Sequence, residues 1–193
     1  MSRFIAFEGG EGSGKSTQAR LLADALGAVL THEPGGTALG RRIRDVVLDP
    51  SGRGLDERAE ALLMVADRAQ HVAEVVRPAL DRGQDVVTDR FSGSTLAYQG
   101  YGRGLDLDEL ASLSRWAARG LEPDVVVLLD VPPAVAASRT VGAPDRLEAE
   151  DRAFHARVAD GYRALAAADP RWIVVDGAGT VDEVAERVLK ALR

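Results

Sequence analysis

The stretch Gly9-Gly10-Glu11-Gly12-Ser13-Gly14-Lys15-Ser16-Thr17 constrains this chain more than any other. It fits the pattern G-x-x-x-x-G-K-[ST] of a phosphate-binding loop. Glycines let the backbone curl until successive N–H groups point into one anion-sized hollow. A helix start beneath the hollow adds its partial positive charge. Lys15 can then reach the outer phosphates of a nucleoside triphosphate, and the Ser16 hydroxyl can ligate Mg²⁺. The flanks agree with this reading. Arg3 to Glu8 reads as a short buried strand, and Thr17 to Leu26 carries Ala19, Leu22, Ala23 and Leu26 at helical spacing. Lysine occurs elsewhere only at Lys190, so the match does not come from a lysine-rich chain.

The rest of the chain alternates helical and strand patterns. Strands are expected at Ala28–His32, Asp85–Asp89, Asp124–Asp130 and Trp172–Asp176. The run Asp124 to Asp130 is apolar throughout its interior, as a central parallel strand requires. Between them, helices are expected at Ala38–Val47, Glu57–Arg82, Asp106–Gly120 and Ala149–Asp169, with another starting at Pro132-Pro133. Pro78 should kink the longest of these or mark its last turns. Thr180-Val181-Asp182-Glu183 reads as a capping box opening the final helix. The pattern predicts one α/β domain over residues 1–193, a doubly wound five-stranded parallel sheet with helices on both faces. Its ligands should lie beyond the carboxyl ends of the strands.

Composition narrows the partners. The net charge of −6 argues against a broad nucleic-acid surface but leaves room for local arginine clusters. No run approaches the roughly 18 apolar residues of a membrane span. There is no cysteine, hence no disulfide and no thiolate chemistry. The first strand is expected directly after the initial methionine, leaving no room for a signal peptide, so a cytoplasmic location is expected.

A phosphate loop gives a triphosphate site, not a reaction. A guanine-reading switch would need an Asn-Lys-x-Asp element, and the chain has no asparagine. A motor would need a larger chain or appended modules. A kinase for a small phosphorylated acceptor needs positive charge facing the γ-phosphate and a lid that excludes water. Arg44, Arg68 and Arg90 at element ends, with Arg139 and Arg146 on a Gly- and Pro-containing loop, supply candidates for both.

Five blocks in order then carry a resemblance. They are Phe7-Glu8-Gly9 through Thr17, Glu33-Pro34-Gly35-Gly36-Thr37 with Ile43-Arg44, Ala66-Asp67-Arg68-Ala69-Gln70-His71, Asp89-Arg90-Phe91-Ser92 through Gly100, and Asp145-Arg146-Leu147-Glu148. Together they resemble the bacterial thymidylate kinases and span most of the chain. The resemblance implies a P-loop nucleoside monophosphate kinase fold with a short lid at approximately 139–150. It also implies a homodimer packed through helices, and the reaction of ATP with dTMP to give dTDP and ADP. Because the acceptor phosphate is already anionic, no strong general base is required, and the work is positioning and charge neutralisation. His32, His71 and His155 then need no catalytic role.

The same resemblance distributes roles. Residues Gly9 to Thr17, with Gly10, Gly12, Ser13 and Gly14 supplying amides, hold ATP. Ser16 and Asp89 meet Mg²⁺, Asp89 either directly or through water. Arg90 neutralises the dTMP phosphate, assisted by Arg44. Glu11 accepts a hydrogen bond from the sugar 3′-hydroxyl. Arg68 donates to a thymine carbonyl, and Thr95 and Gln99 complete the base edge. Tyr98 packs by the sugar and disfavours a ribose, while Pro34 and Met64 line the same pocket. Arg139 and Arg146 close over the transferring group, and Arg146 carries much of the catalysis because the loop has no arginine of its own. Met64 stands where the family usually has an aromatic, His32 where an arginine is common, and Arg41 where an acidic residue often lies. Another pyrimidine monophosphate as acceptor, or an ATP-dependent regulatory module on the same fold, are the alternatives.

Overall fold

The computed structural model describes residues 2–52, 54–139 and 142–192. Five strands, β1 (Phe4–Glu8), β2 (Val29–His32), β3 (Val86–Asp89), β4 (Val125–Asp130) and β5 (Trp172–Asp176), form one sheet in the order β2-β3-β1-β4-β5. Every pairing is parallel. Alternation along β1 sends Ile5 and Phe7 to one face and Phe4 and Ala6 to the other, all nearly inaccessible to solvent. On the first face Ile5 and Phe7 pack with Val127 and Leu129 of β4, against Ala19 and Leu22 of α1 (Lys15–Leu26) and Val184 and Val188 of α9 (Val181–Ala191). On the second, Phe4 and Ala6 meet Val72, Val76 and Phe91. β1 lies between β3 and β4, where the connections turn to opposite sides of the sheet, so the crevice for a ligand opens at its carboxyl end.

The helices start where side chains satisfy their free amides. Thr37 accepts from Gly40 N at 2.9 Å to open α2 (Ala38–Leu48), and Asp56 accepts from Arg58 N at 2.9 Å to open α3 (Glu57–His71). Asp106 opens α6 (Leu107–Ala117) and Asp151 opens α8 (Arg152–Ala168) in the same way. The expected capping box joins Thr180 and Glu183 reciprocally.

The long pattern 57–82 is continuous but not uniformly α-helical. A π turn over Val72–Val76 separates α3 from α4 (Arg77–Asp81). Pro78 cannot donate an amide, and the wider turn before it is the local adjustment, in place of a sharp break at the proline. A second π segment, Leu96–Gly102, follows the short α5 (Ser92–Thr95), in a stretch whose residues carry no helical apolar stripe. The lid follows α7 (Pro133–Arg139) as turns between 142 and 150; Thr140 and Val141, where its loop was expected to begin, lie outside the described residues. Ala149 is not helical, because Asp151 caps α8 two residues later.

Candidate active site

A cavity of about 490 Å³ opens beyond the carboxyl ends of β1, β2 and β3. Its wall includes Glu11, Lys15, Ser16, Pro34, Arg44, Met64, Arg68, Asp89, Arg90, Thr95, Tyr98 and Gln99. Residues scattered from 11 to 99 thus converge, because β1 and β3 are adjacent strands ending at one level, with Phe7 beside Asp89.

The phosphate loop has the backbone its glycines permit. Gly9 has φ 146°, and a Cβ there would stand 2.8 Å from the Leu129 carbonyl oxygen. Gly14 takes the left-handed conformation and opens α1. Lys15 is buried, and its ammonium donates to the Gly10 carbonyl at 3.1 Å. Burial first, and then the charge of Arg90, lower its pKa. The Ser16 hydroxyl hydrogen-bonds one oxygen of Asp89, while the other oxygen of Asp89 is buried without a partner among the described residues.

Arg90 follows β3 with φ 72°, a strained position for a side-chain-bearing residue. Its guanidinium donates to the Gly9 carbonyl at 3.1 Å, to Ser94 and Tyr162 at 3.0 Å each, and to Glu11 at 2.5 Å. It also lies over the Tyr98 ring, 5.1 Å from the centroid. Burial opposes its charge, but the oxygens of Tyr98, Tyr162, Glu11 and Asp89 outweigh that, so its pKa rises. Glu11 titrates at about 2: partial burial raises its pKa, and the charges of Lys15 and Arg90 more than offset this. Two basic side chains therefore face the mouth of the phosphate loop, and the charge of Arg90 is held there by its oxygen partners.

Deeper in, Arg68 is 2 % exposed and paired with Glu33 at 2.8 Å. It donates to Thr95 at 3.0 Å and Ser114 at 3.1 Å, and its Nε has no hydrogen-bond partner among the described residues. Glu33 also meets His71 at 2.8 Å, and His71 meets Thr31 at 2.7 Å. His71 thus serves the packing of a buried polar chain. Asp67, fully buried, accepts from Gly35 N at 3.0 Å. Burial, then the Glu33 charge, raise its pKa to about 6. Arg44 donates to the Pro34 carbonyl at 3.1 Å.

Two expected lid residues stand apart from this wall. Arg139 donates to the Gly177 and Gly179 carbonyls at 3.0 Å each, with one nitrogen 3.9 Å from the place of a Cβ on Gly14. It borders the loop. Arg146 does not lie over the loop, contrary to the placement expected of it. It donates to the Val47 carbonyl at 2.7 Å and to the buried carboxylate of Glu60 at 2.7 Å, a stronger pull than open solvent offers. The lid instead sends Glu148 into the cavity wall, where burial first, and then the neighbouring charges of Asp145 and Glu11, raise its pKa.

The comparisons bear on what such a site belongs to. Residues 7–188 match the family model described as thymidylate kinase. The chain belongs to the thymidylate kinase family. It is 53% identical over 200 residues to a thymidylate kinase of Solidesulfovibrio magneticus, covering 96% of each chain. It is 52% identical over 193 residues to one of Leifsonia xyli, covering 96% of this chain and 91% of the relative. The crystal structure of a thymidylate kinase from Ehrlichia chaffeensis superposes with a TM-score of 0.84 at 33% identity, covering 100% of this chain and 99% of that one. Membership makes the chain an ATP-dependent nucleoside monophosphate kinase of the P-loop type.

Several residues of this thymidylate kinase family site carried no assigned role in the sequence. Glu8 is buried and accepts from the amides of Phe91 and Ser94 at 3.0 Å each, and from the Ser94 and Tyr162 hydroxyls at 2.5 and 3.2 Å. Burial raises its pKa above the usual carboxylate value. It pins the start of α5 to β1 and so fixes the segment that carries Arg90 to Gln99. A charged residue closing an otherwise apolar strand was the available signal. Glu33 opens one of the blocks that carry the resemblance, whereas Glu60 and Tyr162 gave no signal, since each sits in a helix whose periodicity is explained by packing alone.

Proposed function

We propose that the chain transfers the γ-phosphoryl group of ATP to dTMP, with Mg²⁺ as the metal, as a cytoplasmic homodimer. The observation that carries this is the convergence of Lys15, Arg90 and Arg68 on one cavity. A phosphate-facing end is set by the first two cations, and a polar base-facing end by Arg68, Thr95 and Gln99. Gly9 to Thr17 hold the donor phosphates. Arg90 and Arg44 take the acceptor phosphate, Glu11 the sugar hydroxyl, and Tyr98 the sugar face. Met64 and Pro34 cover the ring. Arg139 and, after it leaves Glu60, Arg146 neutralise the transferring group.

The residues present fit Mg²⁺. A hydroxyl and a carboxylate lie side by side at Ser16 and Asp89, with one Asp89 oxygen buried and unpartnered. Mg²⁺ takes waters and substrate phosphates for most of its ligands, so two protein groups suffice. When bound, the ion supplies charge neutralisation on the phosphates. Asp89 and Ser16 hold it, and Lys15 and Arg90 orient the oxygens around it.

The dimer reading is supported by α2, α3 and α6, which pack side by side and leave Leu39, Val46, Leu62, Leu113 and Trp116 exposed. Among the described residues no helix is long and apolar enough to cross a membrane. The metal assignment is tested by titrating Mg²⁺ into Asp89→Asn. The half-saturating concentration is expected to rise about tenfold or more. An unchanged requirement would remove Asp89 from the metal.

A further inference from the structure

Glu60 is 0% exposed and sits in the first turn of α3, beside the acceptor end of the cavity. One of its oxygens accepts from the Gln99 side-chain nitrogen at 2.7 Å. The other accepts from Arg103 at 3.1 Å and Arg146 at 2.7 Å. Gln99 is 1% exposed, lines the cavity, and has no donor to its amide oxygen among the described residues.

A side-chain amide has a donating end and an accepting end of nearly equal size, so an amide facing a ligand can present either by turning over. A carboxylate paired with the Arg103 guanidinium stays ionised, with or without Arg146, and can only accept. Whichever end of Gln99 meets Glu60 must therefore be the NH₂. We propose that Glu60 is a specificity-determining residue for the acceptor base. By locking the Gln99 amide it leaves a carbonyl oxygen toward the pocket, which complements a pyrimidine carrying N3–H and opposes one whose N3 is a bare acceptor. The inference rests on the reading that Gln99 meets the base edge. Glu60 acts through Gln99 and is a positioning residue. Arg68, with its donors, adds a second and independent preference for a carbonyl at the neighbouring ring position.

The test is the ratio of kcat/KM for dTMP over dCMP in the unaltered protein, Glu60→Gln and Gln99→Met. Glu60→Gln keeps the shape but can donate, so it frees Gln99 to turn over; the ratio is expected to fall about tenfold. Any loss through Arg146 affects both acceptors and cancels in the ratio. A ratio unchanged in Glu60→Gln but collapsed in Gln99→Met overturns the role of Glu60 alone. A ratio unchanged in Gln99→Met overturns the base-edge reading and the proposal with it. Should Glu60→Gln not fold, the unaltered protein decides. The chain has no asparagine and only Gln18, Gln70, Gln84 and Gln99, so side-chain NH₂ groups give four pairs of NMR signals. The Gln99 pair, assigned by its loss in Gln99→Met, is expected to stay protected from solvent exchange when dTMP is added. Its release or reorientation toward the base overturns the proposal.

Discussion

The guanidinium of Arg90 meets the carboxylate of Glu11 at 2.5 Å, tying the residue that follows β3 to the middle of the phosphate loop. The same guanidinium holds the Gly9 carbonyl and two hydroxyls, so one side chain fixes both the loop and the acceptor end of the cavity. A lysine cannot reproduce a planar fork of donors. Arg90→Lys is expected to lower kcat/KM for dTMP by about a hundredfold, or about 2.7 kcal/mol, read by coupled ADP release. A loss of less than threefold would show that charge alone suffices there.

Asp67 is stabilising to replace at neutral pH. Its pKa rises from 3.8 to about 6 in the folded chain, so the native state binds the proton more tightly than the unfolded one. Stability from this group is greatest below pH 3.8, falls as pH rises through 6, and stays lost above. Asp67→Asn can keep the bond from Gly35 N and removes the ionisation. It is expected to add about 2 kcal/mol of stability at pH 7.5 and nothing near pH 3.5. Thermal unfolding at the two pH values checks both halves, and an equal shift at both would reassign the effect to packing.

Much of the fold was legible because its signals are local. The apolar interior of β4, the capping box at Thr180, and the glycine pattern of the loop each declare an element within a few residues. The Leu96–Gly102 segment did not. Tyr98, Gly100 and Gly102 lack a helical apolar stripe, and what orders them is distant, namely Glu8 on β1 and Phe154, Val158 and Tyr162 on α8. In the site, residues that touch the cavity belong to contiguous blocks and could be named. Glu60 and Tyr162 could not, since they act on those blocks from the far side. Arg146 was placed by its block, and its actual position depends on a carboxylate 86 residues away.

Met64 lines the acceptor cavity and packs against the cluster around Tyr98 and Leu128. A flexible thioether covers a ring face with less contact than an aromatic held flat. Met64→Phe is expected to lower the Kd for dTMP by about threefold, or roughly 0.7 kcal/mol, measured by calorimetry. Unchanged affinity would count against Met64 lying on the base.

Trp116 is 79% exposed on α6, three residues after exposed Leu113, on a helix that packs against α3. Burying so large a ring is a reason for two copies to associate, and burying a charge there is costly. Trp116→Glu is expected to convert the proposed dimer to a monomer in sedimentation velocity at micromolar concentration. A monomer already in the unaltered protein, or a dimer in the variant, would remove this face as the interface.

The central claim is that this cavity accepts dTMP. ADP release is measured with Mg²⁺, ATP and each of dTMP, dUMP, dCMP, UMP, CMP, AMP and GMP in turn. Release that depends on the acceptor and is fastest with dTMP, with purines inert, is the predicted result. Preference for another monophosphate, or release independent of any acceptor, would contradict it.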